Sequence, residues 1–175
     1  MTDLILRDAT SADIPAISHL ATDSFIAKFG DLYSAENLGA FLAENLSEAA
    51  IAAELANPSR VYQLAEADGR LVGYCKIGLT CGFPEHARGA KVMELKQLYA
   101  ASDATGMGIG KAMMDWAMDQ FAQRGADEAQ LSVYAYNDGA HRFYHRYGFA
   151  KVADITFKVG DHIDPEFLFA KMLSA

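Results

Sequence analysis

The chain is poor in cysteine, proline and positive charge. Two cysteines, Cys75 and Cys81, and four prolines occur among 175 residues. Two cysteines at that spacing build neither a disulfide framework nor a zinc ligand set. The 15 basic residues are outnumbered by 23 acidic ones, a formal net charge of −8. That balance excludes a nucleic-acid partner, because binding a phosphate backbone needs a basic footprint. No apolar run approaches ~18 residues, so no membrane-spanning helix and no membrane partner is expected. The opening residues, Met1 to Arg7, lack the basic segment and long apolar stretch of a signal peptide, and a reducing cytoplasm is the expected compartment. His19, His86, His141, His145 and His162 form no H-E-x-x-H pattern. His141 and His145 stand one helical turn apart without a carboxylate ligand beside them; they read as surface polar residues, and no metal is expected.

Apolar residues make up 51% of the chain and charged residues 22%, enough for a sizeable core. With no repeat, low-complexity tract or linker, residues 1–175 read as a single domain. The negative charge is uneven. Residues 1–60 hold nine acids and three bases, a net −6; the remainder is −2. A front-loaded surface of this kind either serves solubility or attracts cations.

A first strand is expected at Leu4–Arg7. Thr10 or Ser11 caps a helix through Ile14, Ile17, Leu20 and Ala21; Ser34 and Ser47 cap two more, the last stopped by Asn57-Pro58. Val61–Ala67 and Leu71–Leu79 form a hairpin about Asp68-Gly69, which supplies the φ > 0 positions of a tight turn. Strand Val92–Ala100, helix Gly108–Gln123, strand Gln130–Tyr136, helix Asp138–Tyr147, and strands Phe149–Val159 and Glu166–Met172 follow. This order predicts one α/β (α+β) domain around a central sheet.

Gly106, Gly108 and Gly110 lie between a strand and a helix, in Thr105-Gly-Met-Gly-Ile-Gly-Lys111. Glycine lets the backbone turn with φ > 0 and approach a ligand closely, and the free N–H groups of a helix start make an anion site. The segment is not a P-loop: Ala112 follows Lys111, and Thr105 stands where the opening glycine belongs. Nor is it a dinucleotide fingerprint, whose last glycine would fall at Lys111 or Met113. A second informative stretch, Asn137 to Phe149, follows another strand. Asn137 either caps the new helix or bonds a ligand amide, and Tyr144 sits mid-helix.

These two stretches, in this order and spacing, resemble the GNAT superfamily of N-acetyltransferases. Gly108 and Gly110 match its Q/R-x-x-G-x-G/A loop, which holds the coenzyme A pyrophosphate. Ala140, Phe143, Tyr144, Gly148 and Phe149 match its later N-x-x-A-x-x-F-Y-x-x-x-G-F stretch. The resemblance implies a mixed, mostly antiparallel sheet of about seven strands flanked by helices. It also implies direct attack of an amine on acetyl-CoA, bound by Leu98, Tyr99, Ala100, Thr105, Gly106, Met107, Gly108, Ile109, Gly110, Lys111, Asn137 and Tyr144. Thr105 departs from the usual glutamine or arginine and brings no charge; Lys111 could compensate, and Arg142 and Arg146 are candidates for the 3′-phosphate.

By the same resemblance Tyr144 is the general acid and Glu94 the base or water-holding carboxylate. The alternative position for that acid is occupied by Lys96, which shares a strand face with Glu94. Phe25, Phe29, Tyr33-Ser-Ala-Glu-Asn-Leu38, Gly73-Tyr74-x-Lys76 and Val159-Gly-Asp-x-x-Asp164 are further similar to the bacterial PaiA-type branch, which includes polyamine acetyltransferases. A small cationic amine such as spermidine or spermine is then the expected acceptor, near Phe29, Asp31, Tyr33 and Glu36. A peptide α-amine acetyltransferase and a non-catalytic acyl-CoA sensor are the alternatives. Edge strands near the C-terminus could pair in a homodimer.

Overall fold

The computed structural model describes residues 3–173; Met1, Thr2, Ser174 and Ala175 lie outside the described residues. Strand β1 (Ile5–Asp8) leads into three helices, α1 (Ile14–Phe29), α2 (Ala35–Asn45) and α3 (Glu48–Ala56). Then come β2 (Arg60–Ala67), β3 (Arg70–Gly78), β4 (Val92–Ala100), α4 (Ile109–Gln123), β5 (Glu128–Tyr134), α5 (Asp138–Arg146), β6 (Ala150–Val159) and β7 (His162–Met172). The strands form one seven-stranded sheet in the order β1-β2-β3-β4-β5-β7-β6. Only β4 and β5 run parallel. The expected mixed, mostly antiparallel α/β architecture is what the chain adopts.

Local chemistry explains the boundaries. Ser34 and Ser47 accept hydrogen bonds from the amides of Asn37 (3.1 Å) and Ala50 (3.2 Å), capping α2 and α3. Before α1, the Asp13 carboxylate takes the Thr10 amide at 2.7 Å and is gripped by Arg7 at 2.7 and 2.9 Å. Asp68 and Gly69 have φ of 51° and 73°, the conformation of a two-residue hairpin turn. Val72 through Gly78 are all buried. Successive strand residues face opposite sides, so β3 is covered on both faces. Helices α1 and α4 both pack on β3 and β4.

Two strands differ from the sequence reading by two residues or more, and four others by a single residue at one end or both. Strand β5 begins at Glu128, two residues early, because that fully buried carboxylate is satisfied by the Arg88 side chain (2.8 Å) and amide (2.9 Å). It ends at Tyr134 rather than Tyr136. Strand β7 begins at His162, not Glu166. Pro165 argues against a central strand, but the β5 ladder covers only residues 166–172; just beyond it the Pro165 carbonyl accepts the Ala135 amide at 3.0 Å, so the backbone of Pro165 faces that side and its missing N–H takes no bond from β6. His141 is also no surface residue: its ring is half-buried against Phe167 and Phe169, and Nε2 lies 2.9 Å from the Tyr134 carbonyl. It locks α5 to the sheet. Cys75 and Cys81 are free thiols.

Gly73 lets α4 approach β3. A Cβ there would stand 2.5 Å from Ile109 Cγ2 and 3.0 Å from the Tyr99 carbonyl. Gly73→Val is therefore expected to lower unfolding stability by about 1–3 kcal/mol. Chemical denaturation checks this; an unchanged midpoint would contradict the close approach.

Candidate active site

Strands β4 and β5 pair from Val92↔Glu128 to Leu95↔Leu131 and then part, although β4 continues to Ala100 and β5 to Tyr134. The departure coincides with a β-bulge. Lys76 faces Gln97 and Ile77 faces Leu95, which leaves Lys96 as the extra residue on β4. Past the bulge, the side of β4 that faces β5 has no strand partner among the described residues, and of its peptide groups the Ala100 carbonyl accepts the Ser24 hydroxyl at 3.3 Å. A cavity of about 200 Å³ fills this fork, lined by residues of α1, β4, β5, α5, β6 and β7.

The glycine turn lies at the head of α4. Gly106 and Gly108 have φ of 82° and 75°, and an added Cβ at either would meet nothing within 4 Å. They are required for conformation, and they leave the backbone approachable. The first helical bond runs from the Ala112 amide to the Gly108 carbonyl (2.9 Å), so the preceding N–H groups remain available to an anion. Thr105 is exposed. Lys111 is engaged with Asp115 at 2.5 Å, and Arg146 lies over the Phe143 ring. An acyl carrier with a pyrophosphate and an amide-containing arm fits this arrangement, with its phosphates at the turn and its arm along β4.

Asn137 acts as the cap, the first of the two sequence readings. Its Oδ1 accepts the Ala140 amide at 3.2 Å, which caps α5, while the residue also lines the cavity. Tyr144, two turns further, is half-buried, lines the cavity and packs against Phe143 and Phe149. Burial raises its phenol well above the usual tyrosine value, so it stays protonated. Its hydroxyl has no hydrogen-bond partner among the described residues.

Phe29 and Tyr33 line the cavity; Asp31 and Glu36 are exposed and do not. Glu94 is likewise outside the lining. It is 5% exposed, and its Oε2 accepts from the Gly82 amide at 2.8 Å and from Lys96 Nζ at 3.0 Å. The acids that do line the cavity are Asp164 and Glu166 on β7, neither of which the sequence reading assigned to the site. Asp164 is buried, accepting a short hydrogen bond from the Tyr33 hydroxyl and pairing with His162 at 2.9 Å. Glu166 is pushed up to about 7, chiefly by desolvation, with the nearby Asp164 charge adding and a Ser132 hydrogen bond opposing. The signal in the sequence was the alternation Asp164-x-Glu166, which puts two carboxylates on one strand face. Aromatic rings wall the same region: Phe29 meets Tyr134 at 5.8 Å and Tyr33 stacks on Phe25 at 6.0 Å.

The family model described as acetyltransferase (GNAT) family matches residues 15–149. The chain belongs to that family. It is a GNAT N-acetyltransferase, and the fork, the glycine turn and the mixed sheet are that family's architecture. An uncharacterized N-acetyltransferase of Lactobacillus delbrueckii subsp. lactis is 24% identical over 177 residues, covering 99% of each chain. Another, of Mycobacterium bovis, is 29% identical over 162 residues, covering 92% of this chain and 98% of the relative. Among solved structures, the PaiA N-acetyltransferase of Thermoplasma acidophilum in complex with coenzyme A shares the fold with a TM-score of 0.79 at 21% identity, covering 98% and 99% of the two chains. The ribosomal-protein-S18-alanine N-acetyltransferase of Escherichia coli shares it at a TM-score of 0.74 and 15% identity, covering 99% and 96%. No helix among the described residues is long and apolar enough to cross a membrane.

Proposed function

We propose that this acetyltransferase takes the acetyl group of acetyl-CoA and transfers it to a primary amine on a small cationic acceptor, a polyamine such as spermidine or spermine. One observation carries the reading: two carboxylates, Asp164 and Glu166, line the fork beside Tyr144, in a cavity walled by aromatic rings. Carboxylates and ring faces together suit an ammonium ion. The likeness to the PaiA structure and the PaiA-type residues at Tyr33 and Asp164 support the same acceptor class.

In this proposal the glycine turn of residues 105–111 holds the coenzyme phosphates. The unpaired edge of β4 at Leu98, Tyr99 and Ala100 holds the pantetheine arm, and Asn137 offers its amide N–H groups to the arm's amides. The bound amine attacks the thioester carbonyl. A backbone N–H near Tyr99 or Ala100 stabilises the oxyanion, and Tyr144 gives its proton to the leaving sulfur. Asp164 holds the acceptor's charge while Tyr33 and His162 fix the orientation of its carboxylate.

The expected result for Asp164→Asn is a rise of about tenfold or more in KM for spermidine, with KM for acetyl-CoA changed less than about twofold. Steady-state kinetics with both substrates varied checks this. Equal rises in both KM values, or none, would remove Asp164 from acceptor binding.

A further inference from the structure

The proton that a charged amine must lose before it attacks needs an acceptor, and the strand position that relatives use is unsuited here. Glu94 turns out of the cavity into bonds with Gly82 and Lys96, and Lys96 itself is a cation. We propose that Glu166, reaching into the fork from β7, is the general base of the reaction, so that the base comes from the last strand instead of β4. This inference rests on the reading of the fork as an amine-acetylating site.

Three observations carry it. Glu166 lies opposite Tyr134 in the β5–β7 ladder, at the level where β4 and β5 have separated. It lines the same cavity as Tyr144, and its negative charge reaches Tyr99 on β4. Its neighbour on the same strand face, Asp164, is already engaged by Tyr33 and His162. The two carboxylates therefore have separate tasks: Asp164 stays a fixed countercharge, and Glu166 exchanges a proton.

The surroundings set its titration. From β4 it is faced by Tyr99 and by Lys96, whose charge is shared with Glu94; from β5 by Ser132 and Tyr134. From the α1 side come Lys28 and Tyr33, from α5 Tyr144, and from β7 Asp164 with its partner His162. The paired β6 residues, Ile155 and Phe157, bring no charge. Desolvation raises the Glu166 carboxyl to about 7, where a base is half-available at neutral pH and its conjugate acid returns the proton readily.

The step balances as follows. An alkylammonium gives one proton to the Glu166 carboxylate, and the freed amine forms the C–N bond to the acetyl carbon. The oxyanion collapses, the C–S bond breaks, and Tyr144 protonates the sulfur. Tyr144 regains its proton from the nitrogen through water, and Glu166 releases its proton to solvent. The products are the amide, the thiol and one proton.

The test compares wild type with Glu166→Gln on two acceptors with the same two-carbon skeleton, ethylamine and 2,2,2-trifluoroethylamine. The first is an ammonium ion at neutral pH; the second is already mostly unprotonated. Glu166→Gln is expected to lower kcat/KM for ethylamine by about 10²- to 10³-fold and for trifluoroethylamine by less than about tenfold. The wild-type kcat/KM for ethylamine should rise with pH and level off above about 7, whereas in the variant it should keep rising with the free-amine fraction toward the alkylammonium pKa of ~10. Unchanged coenzyme A affinity by calorimetry shows that the variant is folded. Equal losses on both amines, or a variant profile that still levels off near 7, overturn the assignment. A wild-type protein that releases no thiol with any alkylamine overturns the underlying reading and the inference with it.

Discussion

Tyr144→Phe is expected to reduce kcat by about 10²- to 10³-fold while leaving KM for acetyl-CoA within about threefold. The substitution removes one oxygen and keeps the ring, so the packing against Phe143 and Phe149 survives. It also strands no partner, because no described residue hydrogen-bonds that hydroxyl. What is lost is the proton for the departing thiolate, an interaction made only as the C–S bond breaks. Burial keeps the phenol protonated across the working range, so the defect should not be relieved between pH 6 and about 9. Product formation followed at saturating substrates checks this. Turnover at the wild-type rate would show that the sulfur leaves without Tyr144.

The second large effect is on coenzyme binding. Gly108 sits at φ of 75° at the head of α4 with nothing near its missing side chain. A β-branched residue there meets no clash, yet costs ~1–2 kcal/mol or more in backbone strain and covers the approach to the helix N-terminus. Gly108→Val is expected to weaken coenzyme A binding about 10- to 100-fold, with little change in kcat at saturation. Gly110→Ala is the control. Its Cβ would meet the Phe143 ring at an ordinary 3.7 Å, so affinity should change less than about threefold. Calorimetric titration of both variants with coenzyme A separates strain at the turn from general loosening of α4; equal losses would contradict the argument.

Local chemistry in the sequence predicts most of the framework. Ser34, Ser47 and Asp68-Gly69 act where their types predict, because caps and tight turns depend on neighbours within a few residues. The glycine turn and the Asn137–Phe149 stretch are legible for the same reason. The acceptor side is not. Asp31 and Glu36 look suitable by position, but their side chains face outward; Glu166 is brought to Ser132 only by the β5–β7 pairing, and Asp164 meets Tyr33 from 131 residues away. Such long-range strand pairing leaves no local spacing to read. The resemblance places Glu94 at the site, whereas its carboxylate is held by the Gly82 amide of a separate loop and by Lys96. Pro165 hid the start of β7, and with it the carboxylate face that matters most.

The front-loaded charge of residues 1–60 also changes meaning. The exposed acids there form an outer field, and the carboxylates of the proposed cation site come from the other end of the chain. The measurement that tests the account most directly is thiol release from acetyl-CoA with spermidine, ethylamine and an alanine-ended peptide compared side by side. The account predicts turnover with both amines, with kcat/KM for spermidine at least about tenfold above the peptide. Turnover confined to the peptide, or no turnover with any amine, would contradict it.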